Sequence, residues 1–198
     1  MSLRDSFNSL TGKSRFVVSR LFIQLSGTGM GPLWGQLQQF QVEANRSDGD
    51  LNVMGEGLVS LCEALSRRSI EWTAAANEGE VFWDEGEAAD YINELFMDSA
   101  SRYVLEEDEE PNGDQSTLTL SGVQTIVVSI AWAYIGAIPD LEANLAEVEA
   151  LKRALIALPN LHFSHQLEAL QVHFCPVRPE HPLSPDQLLE YFPELSPI

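Results

Sequence analysis

Along residues 16–25, Val17, Leu21, Ile23 and Leu25 fall on one side and polar or mixed residues on the other, the two-residue period of a strand. Before it, Leu3, Phe7 and Leu10 recur at helical spacing and stop at Gly12, which predicts a short amphipathic helix over 1–13. After it, the glycine turn Ser26 to Gly31 leads into a helix that Pro32 can open, with Leu33, Leu37 and Phe40 on its buried side. The polar turn Asn45 to Asp50 then separates this helix from a second one, carried by Met54, Leu58, Leu61, Cys62 and Leu65.

Ile70, Trp72, Ala74 and Ala76 alternate with polar neighbours, so a second strand is expected there, with Val81 to Trp83 continuing or returning it. Asp84 with Glu87 has the form of a helix cap, and the apolar stripe Ala88, Tyr91, Ile92, Leu95 and Phe96 predicts a helix from about 85 to 105. An acidic, proline- and glycine-containing stretch near 106–121 reads as a hydrated linker. Ile126, Val128, Ile130, Trp132 and Tyr134 then mark the strongest strand signal in the chain.

Leu141 to Leu158 repeats at helical spacing and is expected to end near Pro159. Leu170, Val172 and Phe174 alternate in a last strand closed by Pro176. Ser184, Pro185 and Gln187 supply a hydroxyl cap, a first-turn proline and an N3 amide for a final short helix anchored by Leu188, Leu189 and Phe192. Together these predict an α+β fold: a mixed four-stranded sheet with helices packed mainly on one face, in a single domain over 14–198 preceded by the helix 1–13.

Charge narrows the choice of partners. Eleven Lys and Arg against 30 Asp and Glu give a net charge of -19, which repels phosphate backbones, so nucleic acid is not an expected partner. The N-terminal twenty residues run the other way, with Arg4, Lys13, Arg15 and Arg20 against Asp5 alone. Two cysteines far apart, Cys62 and Cys175, suit a reducing compartment and read as small buried hydrophobes. No apolar run reaches the ~18 residues of a membrane span, and no secretory signal opens the chain, so a cytoplasmic or peripherally attached protein is expected.

Three groupings invite a chemical reading. Gly27, Gly29 and Gly31 lie between a strand and a helix, where glycines can admit a phosphate, but Pro32 occupies the third glycine position of the dinucleotide pattern; a tight turn explains them as well. His162, His165, His173, His181 and Cys175 crowd into residues 162–181 without a zinc spacing. The acidic runs lack the order of a calcium loop, and no serine stands in a nucleophile elbow. The residues thus assign no catalytic centre, cofactor or metal.

The segments IVVSIAWAY, LEALQVHFCP and LSPDQLLEYFPELSPI resemble the second half of a domain-of-unknown-function family of cyanobacteria and chloroplasts that includes the plant fluctuating-light acclimation protein. The likeness is strongest over residues 123–198; Phe192 stands where that family commonly has tyrosine. The resemblance implies a phototroph protein linked to photosynthetic acclimation, at the thylakoid, chloroplast envelope or cytoplasm, and implies no substrate.

Two surfaces follow from the pattern. The sheet side bearing Phe16, Val18, Arg20, Phe22, Val127 and His173 is too apolar to stand open and calls for a cover: the chain's own helices, a second subunit or a partner protein. Leu3, Arg4, Phe7, Leu10 and Lys13 form a basic amphipathic face suited to an anionic membrane, to a partner or to its own domain. The expected function is a non-enzymatic interaction or regulatory domain; the rival is a small-molecule- or metal-binding or enzymatic domain using the glycine turn and the C-terminal histidines.

Overall fold

The alternating segment at 16–26 becomes the middle of the sheet. The computed structural model describes residues 14–104, 124–178 and 183–198. In it β1 (Phe16–Ser26) pairs with β2 (Trp72–Phe82) on one side and β3 (Thr125–Ile135) on the other. β4 (Leu167–Cys175) lies beyond β3, and the two-residue β5 (Ser196–Pro197) lies beyond β2. The order is β4-β3-β1-β2-β5.

Among the described residues the sheet has five strands, all paired antiparallel, against the expected mixed sheet of four. The fifth was illegible because two residues ending in Pro197 carry no period. The α+β class stands. The predicted helix 1–13 and the linker near 106–121 lie outside the described residues.

Helices cover both faces, not mainly one. On the first face, α1 (Gly31–Arg46), α2 (Leu51–Arg67) and α4 (Val148–Phe163) pack Leu33, Leu37, Leu58, Leu65, Leu151 and Leu158 against Leu21, Ile23, Val128, Ile130 and Trp132 of the sheet. On the second face, α3 (Glu85–Val104) lays Ala88, Ile92 and Leu95 on Val18, Ala131 and Ala133. Beside it, α5 (Pro185–Tyr191) and its flanks bring Leu183 and Phe192 onto Phe22, Ala76, Val127 and Cys175.

Local chemistry explains most boundaries. Gly29 sits at φ +80°, a conformation that glycine adopts without strain, and the chain turns there into α1. Asp50 caps α2 by accepting from the amides of Asn52 (2.8 Å) and Val53 (3.3 Å). Asp84 accepts from the Glu87 amide at 3.1 Å, as its spacing predicted. The capping box of α5 is complete: Ser184 Oγ accepts from Gln187 N at 3.2 Å, and Gln187 Oε1 accepts from Ser184 N at 2.9 Å.

Elsewhere tertiary contacts overrode the local signal. Ile70 belongs not to β2 but to a 3-10 turn, Ser69–Glu71, and is 95% exposed. A bulge opposite Gln24 and Leu25 then places Trp72 on the first face and Ala74 on the second, breaking the alternation seen in the sequence. The helix expected from Leu141 begins only at Val148, because Asn77 of β2 holds the preceding loop, donating to Ala143 O (3.2 Å) and accepting from Leu145 N (2.8 Å). That helix also continues through Pro159, since the fully buried Leu161 keeps its last turn on the core. Among the described residues, no helix is long and apolar enough to cross a membrane.

Candidate functional site

Arg20 occupies an inward position of the central strand, between Val18 and Phe22, and is 3% exposed. A guanidinium so placed must spend its donors on protein acceptors, since an unpaired buried charge is very costly. The antiparallel register sets Glu78 of β2 directly opposite, and Arg20 donates to its Oε1 through Nη2 and through Nε at 2.9 Å. Its Nη1 donates to Asp98 Oδ2 (2.6 Å), Ser99 Oγ (3.0 Å) and the Leu95 carbonyl (3.2 Å) of α3. Burial opposes the charge on Arg20, but the hydrogen bonds and charges of Glu78 and Asp98 outweigh it and hold its pKa above the ordinary value.

Asp98 is shared. Arg102, one helical turn on, donates to the same Oδ2 through Nε (3.1 Å) and completes the ion pair with Nη2 at 2.9 Å. Partial burial raises the pKa of Asp98, and the two arginines more than reverse this, leaving it below the usual carboxylate range. Arg102 Nη1 also reaches the C-terminal segment, donating to the Tyr191 carbonyl at 2.7 Å and to Glu194 Oε1 at 2.6 Å.

An aromatic pair lies beneath these charges. The guanidinium carbons of Arg20 and Arg102 sit 4.8 and 5.2 Å from the Phe22 ring centre, and Phe192 meets Phe22 edge-on at 6.0 Å. Between β2, α3 and the C-terminal segment a hollow of about 490 Å³ remains, bordered by Phe22, Glu78, Tyr91, Asp98, Arg102 and Glu194. Burial, then the nearby charges of Glu78, Glu80 and Glu94, push the Tyr91 hydroxyl up. The arrangement is a groove that grips a short peptide segment by an aromatic ring, a backbone carbonyl and a carboxylate.

Comparison with known families supplies one match: a family model described as "Protein of unknown function (DUF1517)" covers residues 15–198, from just before β1 to Ile198. The chain belongs to this family. No curated protein and no solved structure matches it.

The sequence-derived candidates are distributed through this DUF1517 domain as follows. Val18 and Val127 are fully buried, Phe22 is buried, Arg20 is buried and ion-paired, and Phe16 is half-buried. Their face is covered by α3 and the C-terminal segment, so as the chain stands they are not an open interaction surface; of the covers considered, the chain's own elements are the one in place. His173 is half-buried and borders a separate cleft of about 390 Å³ with Phe40, Met54, Phe96 and Gln171. Burial holds its imidazole below the usual range. Leu3, Arg4, Phe7, Leu10 and Lys13 lie outside the described residues.

The histidines do not converge. His162 is on α4 against Gly55 of α2, His165 is in a turn at φ +52°, and His173 is on the second face. His181 lies outside the described residues, and among those described no group of three or more His, Cys, Asp or Glu is placed to hold a metal. In the glycine turn, Gly27 N donates to Gln124 O at 2.8 Å and Arg68 donates to Gly29 O at 3.2 Å, contacts that tie the turn to its own domain. Leu189, expected as an anchor of α5, is 73% exposed, while Phe192 is 2% exposed.

Sequence reasoning missed Glu78, Tyr91, Asp98, Arg102 and Glu194. One signal was present: an arginine between Val18 and Phe22, on a face that calls for a cover, demands carboxylates across the sheet or on the covering element, and Asp98 with Arg102 stands at the spacing of a helical ion pair.

Proposed function

We propose that this DUF1517 domain is a non-enzymatic interaction or regulatory domain working in photosynthetic acclimation, in the cytoplasm or at the periphery of the thylakoid membrane. The observation that carries the interaction reading is the groove on the second face, where Arg102 and Phe22 hold residues 191–194 by carbonyl, carboxylate and ring. A site built to hold peptide suits a protein partner or a second copy of the chain. The link to photosynthesis rests on the likeness of IVVSIAWAY, LEALQVHFCP and LSPDQLLEYFPELSPI to the family of the fluctuating-light acclimation protein.

The net charge of -19 sets nucleic acid aside as a partner, and the basic face Leu3, Arg4, Phe7, Leu10 and Lys13 offers peripheral membrane contact. Affinity capture of the full chain from a phototroph under changing light tests the regulatory reading. The expected result is a partner whose recovery changes with light; a chain that returns alone at every light level overturns it. Flotation with anionic liposomes, with and without residues 1–13, tests the membrane contact, and equal behaviour of the two forms removes it. A stoichiometric small molecule or metal in native mass spectrometry would favour the rival binding function.

A further inference from the structure

The floor of the groove and its occupant are separable. Phe22, Ala76, Val127 and Cys175 belong to β1, β2, β3 and β4, whose ladders pair with one another, and the segment above joins them only through the two-residue β5. The segment 183–198 is held mostly by side chains: Leu188, Tyr191 and Leu195 pack half-buried on the same cluster, Ile198 reaches the first-face core, and the Ile198 amide donates to Thr73 O at 3.2 Å. Its helix α5 buries no residue, and its buried side chains are Leu183 and Phe192. Arg102 clasps it at Tyr191 and Glu194, and β5 adds it to β2 at Ala74 and Ala75.

We infer that this groove is a peptide-binding site filled in cis by residues 183–198, and that the partner displacing them carries an aromatic residue followed two positions later by a carboxylate. The inference rests on the interaction reading above and names the partner's chemistry at the same site. The segment itself displays the code: Phe192 fills the floor edge-on to Phe22, and Glu194 meets Arg102. Strand addition beside an aromatic pocket and a charge clasp is a recurring mode of peptide recognition.

The site also has more to offer than the chain's own segment takes. β5 pairs with Ala74 and Ala75 alone, so among the described residues the outer edge of β2 from Ala76 to Phe82 has no strand neighbour. The hollow of about 490 Å³ opens beside that edge, bordered by Ala76, Glu78 and Glu194. A longer partner segment finds backbone to pair with there. It must compete with a tethered segment whose effective concentration is on the order of millimolar, so weakening the clasp tightens binding in trans.

The test uses a fluorescein-labelled peptide, LSPDQLLEYFPELSPI, and fluorescence anisotropy on the full chain as wild type, Phe192→Ala and Glu194→Gln. Both variants are expected to bind the peptide roughly tenfold tighter than wild type, the effect of losing one charge-assisted or aromatic contact in cis. A peptide with its Phe and the Glu two positions after it replaced by Ala is expected not to bind. Equal affinity for all three chains, or none for any, overturns the inference. If Phe192→Ala loses its circular dichroism, Glu194→Gln alone decides, because it removes a single part-exposed charge. Peptide binding without light-dependent capture would keep this site and sink the regulatory reading; capture without peptide binding would do the reverse.

Discussion

Arg102 and Glu194 lie 92 residues apart in the chain and meet at 2.6 Å, with the Tyr191 carbonyl on the same guanidinium nitrogen at 2.7 Å. One side chain of α3 therefore ties the covering helix of the second face to the segment that completes it. Arg102 also lies over Phe22 and Phe192, 5.2 and 5.9 Å from their ring centres, so the clasp bears on the aromatic contact that seats the segment.

Loosening that clasp should open the segment without unfolding the domain. Cys175 is 1% exposed beneath Leu183 and Phe192, whereas Cys62 is sealed in the first-face core, where burial pushes its thiol up to about 12. Arg102→Ala is expected to raise the rate at which Cys175 reacts with a thiol reagent about tenfold, leaving Cys62 inert. Mass spectrometry of the labelled chain checks this. Parallel acceleration of both thiols would mean global opening.

Removing Arg20 should be a stability event. Arg20→Ala deletes hydrogen bonds to Glu78, Asp98, Ser99 and Leu95 and the contact with Phe22, but the side chains of Glu78 and Asp98 are 44% and 46% exposed and regain water. The expected cost is therefore about 2–3 kcal/mol, at or below the low end for a broken buried pair. Glu78→Ala leaves Arg20 its α3 partners, and less than about 1 kcal/mol is expected. Urea titrations of both variants give the comparison.

Acid should destabilise the domain in two stages. Burial lowers the His173 pKa below its ordinary 6.5, so the unfolded chain takes up that proton first and stability falls as pH drops through 6.5 towards the folded value. Glu142 follows: partial burial raises its pKa, but Arg15, the Ile138 amide and Tyr134 overcome this and lower it. Its stabilisation is complete above the ordinary 4.5 and lost as pH falls from there through the depressed folded value, and Asp98 behaves alike below 3.8. Thermal melts between pH 8 and 3 would show both stages, and His173→Gln should flatten the upper one alone.

The crossing of α2 and α4 depends on a missing side chain. A Cβ at position 55 would stand 2.6 Å from Cγ of His162, too close for that ring to stay in place. Gly55→Ala is expected to lose about 1–3 kcal/mol through overpacking, despite the better helix propensity of alanine. A melting temperature equal to or above wild type would show that His162 moves aside at no cost.

The strands and helices that could be read from residue order are those whose burial is set by one period over many residues. β1, β3, α1, α2 and α3 each repeat their apolar positions long enough to declare themselves. Caps were equally legible, because Asp84 and Ser184 act on amides three residues away. Ile70 misled because alternation there ran into a bulge, and Leu141 misled because Asn77, 64 residues earlier, holds the loop around it.

The candidate site shows the same division. That Arg20 shares a face with Val18 and Phe22 followed from the period of one strand, and a cover over that face makes acidic partners a requirement. Which carboxylates answer, and that Arg102 then reaches Tyr191 and Glu194, was decided only when α3 and the C-terminal segment came down on the second face. Periodicity tells each element which side to bury, a local property of spacing. It carries no information on which distant element covers that side, because that choice depends on how all the apolar faces are satisfied at once.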